Sequence, residues 1–215
     1  MKIKNQSTFD REIPVLAMGI FTLLILSISS IIDVPILATS VGVTLLPGAA
    51  PTFFKCGITS PYVGADSLRG MTVNQSINAV FADPSANTWV AGKASFDVFL
   101  GSIVIVNEPG PDLAVHEIGG PESFEMAVFD PSNGNFSAFK MISVGPTAKV
   151  NSCNQTINSA NIDLSIFGIR NGSSVSLLRF DNIGEHGCCY GADITGIIPI
   201  HWKEIAINNA SQTKP

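Results

Sequence analysis

Charge is scarce in this sequence. Asp, Glu, Lys and Arg make up only 13% of 215 residues, against about 25% in an average globular domain. Twelve basic residues against seventeen acidic ones leave a net charge of −5. No basic stripe exists to neutralise phosphates, which excludes nucleic acid as a partner. Catalytic signatures are missing as well. There is no G-x-S-x-G elbow, and His116-Glu117 begins an H-E-x-x-H motif that ends on Gly120 instead of a second histidine. No C-x-x-C pair occurs among the four cysteines, so no zinc ribbon is expected. Internal repeats and low-complexity tracts are absent. What is plentiful is Gly (19) and Pro (13). Low charge combined with scattered turn formers favours short strands over a helical bundle.

The N-terminus is organised differently. Lys2, Lys4 and Arg11 precede an apolar run from Ile13 to Ile32, and no Lys or Arg follows until Lys55. Positive charge on the near side keeps that end in the cytoplasm and sends the rest across. Two readings follow for residues 1–40. A signal peptide would be cut near Ala38-Thr39-Ser40, whereas about 20 apolar residues also suffice for a signal anchor. Residues 41–64 read as a linker, 65–205 as the domain and 206–215 as a tail. The expected location is secreted or extracellular, with membrane contact only through an uncleaved N-terminal helix.

Export makes the cysteines a disulfide question. Cys56, Cys153, Cys188 and Cys189 allow two bridges and three connectivities. A Cys188–Cys189 bridge conflicts with ordinary disulfide geometry, so the expectation pairs Cys153 with one of those two. The part expected to be exported carries five N-x-S/T sequons, beginning at Asn74, Asn135, Asn154, Asn171 and Asn209; they are glycosylation candidates if the source glycosylates.

The domain reads as strands between turns. Ser95–Leu100 alternates, with Phe96, Val98 and Leu100 on one face. Ile103–Val106 is a β-branched run. Asp112–Ile118 places Leu113, Val115 and Glu117 on one face, with Ala114, His116 and Ile118 on the other. Phe124–Phe129 follows Gly119-Gly120-Pro121. Asp130 to Asn135 predicts a hairpin, with Asn133-Gly134 as a type I′ turn and Phe136–Ile142 as the return strand. Further strands are expected at Asn87–Val90, Ile162–Phe167, Val175–Phe180 and Ile194–His201. Residues 163–168 have a short helical turn as their alternative. Spacing near ten residues predicts an all-β fold, an antiparallel jelly-roll-like β-sandwich preceded by one N-terminal hydrophobic helix.

The run Gly110-Pro-Asp-Leu-Ala-Val-His-Glu-Ile-Gly-Gly-Pro-Glu-Ser-Phe124 resembles a GxDLxxFExGxPExF pattern. That pattern occurs in uncharacterised secreted proteins common in cyanobacteria, some of which end in a PEP-CTERM sorting signal. Asn161-Ile-Asp-Leu-Ser-Ile-Phe-Gly-Ile169 and Ala192-Asp-Ile-Thr-Gly196 resemble later elements of the same family, in the same order. The resemblance covers about residues 65–202. It implies an extracellular β-sandwich and supplies no catalytic residues. His116 stands where the pattern has Phe, and Ser211-Gln-Thr-Lys-Pro215 carries no sorting helix.

Carboxylates are the remaining chemistry. Asp112, Glu117, Glu122 and Glu125 gather around the Gly-Gly-Pro turn. Calcium takes six to eight oxygens from carboxylates and carbonyls, and Asp112, Glu117, Asp163 and Asp193 are its candidate ligands. No other cofactor is expected. The three histidines, His116, His186 and His201, have no ligand partner at motif spacing. The sequence therefore points to a non-enzymatic extracellular domain for binding, adhesion or structure, with carbohydrate or extracellular matrix as the partner class. Sugar contact would use Tyr62, Trp89, Tyr190 or Trp202. The alternative is a secreted hydrolase with a site assembled from distant loops.

Overall fold

Alternating apolar and polar residues pair into strands through most of the chain. The computed structural model describes residues 42–57, 62–63, 72–181 and 191–205. Before the central strands come β1 (Gly42–Leu45), β2 (Ala50–Lys55), β3 (Tyr62–Val63) and helix α1 (Val73–Phe81). The middle of the chain forms β4 (Thr88–Lys93), β5 (Ser95–Phe99), β6 (Ile103–Val106), β7 (Leu113–Ile118) and β8 (Phe124–Asp130). Next are β9 (Asn135–Phe136), β10 (Lys140–Ile142), β11 (Gly145–Val150), β12 (Thr156–Ile162) and a 3-10 turn (Leu164–Phe167). The last are β13 (Ser174–Val175), β14 (Leu177–Asp181), β15 (Ile194–Pro199) and β16 (Trp202–Glu204).

The fold is all-β, and the pairings among the described strands are antiparallel. One sheet runs β1-β5-β14-β8-β10, with β9 added to β8; a second runs β11-β12-β7-β15-β4-β2-β3; a third is β13-β6-β16. Period-two alternation turns one face of each larger sheet into a shared core. The first sheet contributes Phe96, Val98, Phe124, Met126, Val128, Leu178 and Phe180; the second contributes Phe53, Val90, Leu113, Val115, Ala160 and Ile162. Phe180 sits between Phe96 at 5.3 Å and Phe124 at 5.7 Å between ring centroids. Each fully buried Phe or Leu stabilises the fold by about 1.5–3 kcal/mol relative to exposure.

Helix α1 begins with a capping box: Gln75 N–H donates to Thr72 Oγ1, and Thr72 N–H donates to Gln75 Oε1. Its apolar positions Ile77, Val80 and Phe81 join the core, and the helix packs against β1, β4 and β15. The helix was not expected inside the domain. The segment expected as a linker also contributes β1, β2 and β3, with β1 paired to β5 and β2 to β4. Among the described residues no helix is long and apolar enough to cross a membrane. The N-terminal segment and its expected helix lie outside the described residues.

The 130–135 hairpin is present but its turn differs. Asp130 and Asn135 pair across a four-residue loop, and only Gly134 takes positive φ, at 72°. Asn133 stays at negative φ, so this is not a type I′ turn. The Asp130 carboxylate is the cause: it accepts from Ser132 N–H at 2.8 Å and from Asn133 Nδ2 at 3.0 Å. The return strand is broken into β9 and β10. Residues 163–168 adopt the helical alternative, capped by Asp163 and ended by Gly168 at φ 82°. The expected 175–180 strand divides at Ser176, where Val175 pairs with β6 and Leu177 with β5.

The disulfide also differs from expectation. Cys153 pairs with Cys56, 97 residues earlier, at a Cα–Cα distance of 5.6 Å. Asn87 explains the juxtaposition. Its carbonyl accepts from Cys56 N–H at 2.8 Å, and its Oδ1 accepts from Ser152 N–H at 2.9 Å. The link lies beside a satellite core of Ala86, Trp89, Ala91, Ile118 and Ile157, with Phe54 stacked on Trp89. Cys188 and Cys189 lie outside the described residues.

Candidate functional site

Strand β7 runs through the second sheet between β12 and β15. Alternation sends Glu117 to the same face as Leu113 and Val115, which join the main core, while Ile118 joins the satellite core. Glu117 is consequently fully buried, and so is Asn158 directly opposite it on β12. Asn158 Nδ2 donates to Glu117 Oε2 at 2.6 Å and to the Gly119 carbonyl at 3.2 Å. Asn158 Oδ1 is buried with no hydrogen-bond partner, and the Glu117 carboxylate, whose Oε1 makes no close bond, is approached by the backbone N–H groups of Asp193 and Glu122. Leaving such an atom dry and unpaired costs roughly 1–3 kcal/mol.

Asp193 enters from the other side. Its carbonyl accepts from Ile118 N–H at 3.1 Å, which fixes it at the start of β15. The register then shifts between Ile194 and Gly196, opposite Glu117 and His116. This bulge places Thr195 where its Oγ1 donates to the Thr88 carbonyl at 2.7 Å. Glu122, two residues before β8, completes the group. Burial pushes Glu117 up to about 7; the Asn158 hydrogen bond and the backbone N–H groups of Asp193 and Glu122 oppose this, and the Glu122 charge reinforces it. Burial, then the charges of Glu117 and Glu122, push Asp193 up to about 8. Burial also raises Glu122. Among the described residues no basic side chain forms an ion pair with any of the three. The three carboxyl groups therefore carry excess negative charge once ionised.

The other candidates lie elsewhere. Asp112 is fully buried and fully engaged. It accepts from Glu108 N–H and Leu164 N–H, each at 2.8 Å, and lies 2.9 Å from His201 Nδ1. Its own carbonyl accepts from Ile200 and His201 N–H. One residue thus ties the β6–β7 loop, the 3-10 turn and the β15–β16 turn. Asp163 caps the 3-10 turn through Ser165 N–H at 2.8 Å. Glu125 belongs to the first sheet, facing away from the Phe124 and Met126 side. The four candidate calcium ligands do not converge: Glu117 and Asp193 meet, Asp112 and Asp163 do not join them. Among the described residues no three His, Cys, Asp or Glu side chains are grouped so as to hold a metal ion.

His116 sits on the opposite face of β7 from Glu117, and burial, then Lys149, push its pKa down. His201 is held by Asp112 beyond the far end of β15, so the two do not share a site. His186 lies outside the described residues. Trp89 is buried, whereas Trp202 is 37% exposed. The side chain of Tyr62 and all of Tyr190 are outside the described residues. Asn135, Asn154 and Asn171 are exposed; the Asn74 side chain and Asn209 are not described.

Sequence reasoning picked out Glu117, Asp193 and Glu122 separately but missed Asn158. Its signal was a polar residue at an inward position of the alternating Thr156–Ile162 strand. Comparisons with family models, curated proteins and solved structures find no match to this chain.

Proposed function

We propose that this chain is an exported, non-enzymatic β-sandwich module with a binding, adhesion or structural role outside the cytoplasm. The carrying observation is the Cys56–Cys153 pair, which closes 97 residues of chain at disulfide distance. Such links persist in oxidising compartments. The basic flank and apolar run of residues 1–40 support the same direction of transfer. Two larger sheets sharing one core support the sandwich, and the resemblance to secreted PEP-CTERM-associated proteins agrees with it. Exposure of Asn135, Asn154 and Asn171 leaves these sequons open to glycosylation. Of the two tryptophans, Trp202 is the exposed one, available for a carbohydrate or matrix partner.

The non-enzymatic reading draws on Asp112. A buried carboxylate holding a histidine is half of a hydrolase triad. Here the same carboxylate also serves two loop N–H groups, and the pairing orders loops.

The test expresses the full chain with a C-terminal tag in a host that exports it. Intact mass and non-reducing peptide mapping are then read from the exported fraction. A Cys56–Cys153 peptide and loss of the leader mass, or a membrane-bound form with its tag outside, support the proposal. A cytosolic tag with four free thiols overturns it.

A further inference from the structure

Two Asn-Gly pairs, Asn133-Gly134 and Asn171-Gly172, lie on exposed turns of the described residues. In an Asn-Gly pair the backbone can attack its own side chain, because Gly carries no Cβ to shield its nitrogen. Sequence alone does not separate the two. The structure assigns Asn171 as a self-modifying site, converted to aspartate and isoaspartate through a succinimide, and leaves Asn133 protected. The Gly172 nitrogen gives up its proton to hydroxide and forms a bond to Asn171 Cγ. The Cγ–Nδ2 bond breaks, and the nitrogen takes a proton from water and leaves as ammonia. Water then opens the ring at either carbonyl. The net change is amide plus water to carboxylic acid plus ammonia, with no oxidant or reductant.

Hydrogen bonds separate the two sites. The Asn133 amide is pinned at both ends: Oδ1 accepts from Asn135 N–H at 2.9 Å, and Nδ2 donates to Asp130 Oδ2 at 3.0 Å. The Asn133 carbonyl also accepts from Asn135 Nδ2 at 2.9 Å, and Gly134 N–H donates to the Asp130 carbonyl at 2.9 Å. Turning Cγ toward the Gly134 nitrogen disrupts this whole set. The Asn171 side chain makes no hydrogen bond among the described residues. Its turn is closed by Ser173 N–H on the Arg170 carbonyl at 2.9 Å, and the Gly172 N–H has to release the Asn107 carbonyl, at 2.8 Å, before it attacks. A Cβ at Gly172 would meet nothing within 4 Å, so the ring has room to form. The product is felt nearby. Aspartate adds negative charge to a chain already at −5. Isoaspartate also lengthens the backbone by a methylene group just ahead of β13 and its pairing with β6. Asn171-Gly172-Ser173 is at the same time a sequon. Its Nδ2 either carries a glycan or departs as ammonia, and the two fates exclude each other.

The experiment uses the purified full chain from an exporting host that does not N-glycosylate. It is held at pH 8 in the folded state and, in parallel, unfolded in urea. Peptide mass spectrometry follows amide loss at each Asn-Gly pair, and isoaspartyl methyltransferase labelling counts the isoaspartate. In urea the two pairs should convert at comparable rates, because the dipeptide alone decides there. In the folded chain Asn171 should convert roughly tenfold or more faster than Asn133, since the extra hydrogen bonds at Asn133 oppose ring closure. Asp130→Ala, at the exposed hairpin tip, frees the Asn133 amide nitrogen and should speed Asn133 while leaving Asn171 unchanged. A folded-state ratio no greater than the ratio in urea overturns the proposal. So does an Asn171 that keeps its amide in the folded chain, or an Asn133 rate indifferent to Asp130→Ala.

Discussion

Replacing Glu117 with Gln should make this protein more stable at pH 8 and leave it nearly unchanged at pH 4. In the fold Glu117 stands at about 7 against 4.5 for a free side chain. Between those values the folded chain holds a proton that the unfolded chain has released. The contribution of Glu117 to stability is therefore highest below about pH 4.5, falls as pH rises to about 7, and then levels off. The loss for Glu117 alone is roughly 3 kcal/mol, since each pH unit of separation is worth about 1.4 kcal/mol. Asp193, at about 8 against 3.8, extends the decline by one further pH unit. The two losses do not add, because each carboxyl rises partly through the other's charge. The groups facing Glu117 are Asn158 from β12, Asp193 from β15's approach and Glu122 from the β7–β8 turn. Gln keeps an oxygen for Asn158 Nδ2 and cannot ionise. In chelator at fixed ionic strength, the variant should gain about 3 kcal/mol at pH 8, or about 6–12 °C in Tm for a domain of this size. Urea unfolding at half-unit pH steps reads both curves. A wild-type curve flat from pH 4.5 to 8, or a Gln variant weaker than wild type at pH 8, would refute the reasoning.

Other expectations follow from named contacts. Cys153→Ser should cost about 2–4 kcal/mol, near the chain-entropy limit of about 4.7 kcal/mol for a loop of roughly 100 residues. Reductant should bring wild type to the variant's urea midpoint, and a reductant-insensitive wild type would contradict the link. Asp112→Ala strands the Glu108 and Leu164 N–H groups and should cost about 3 kcal/mol, with faster hydrogen exchange at the Leu164 amide as its local readout. Arg179 grips Asp97 through Nε at 2.6 Å and Nη2 at 2.8 Å while its guanidinium lies 3.9 Å above the Phe136 ring. Arg179→Lys should lose about 1 kcal/mol, and a double-mutant cycle with Phe136→Ala should recover part of it as coupling.

The middle of the chain was the most readable. Strands β6, β7 and β8 follow their patterns to within a residue, because alternating or β-branched runs lie between Gly and Pro turns. The division of β7 into a Glu117 face and a His116 face was also legible, since pleating leaves no other choice. Helix α1 was missed although Thr72 and Gln75 form a capping box; the helix is short, and its polar residues resemble loop. Strands β1 and β2 hid in a Gly- and Pro-rich stretch, where pairing with β5 and β4 decides the conformation. The Cys56–Cys153 pairing depends on Asn87 bridging two distant segments, which no local pattern encodes. The same holds for the site. Glu117 and Asp193 were singled out as acidic residues, but their meeting with Asn158 comes from strand order and from the bulge in β15.

Asp112 has a practical consequence for remodelling. One carboxylate clasps three turns at the same end of the molecule, so lengthening any of them strains the other two. A graft or tag placed there would be felt across the whole rim. The 131–134 hairpin tip is its opposite: wholly exposed, closed by Asp130, and bonded only within itself. Foreign sequence belongs at that tip, where the host has least to lose.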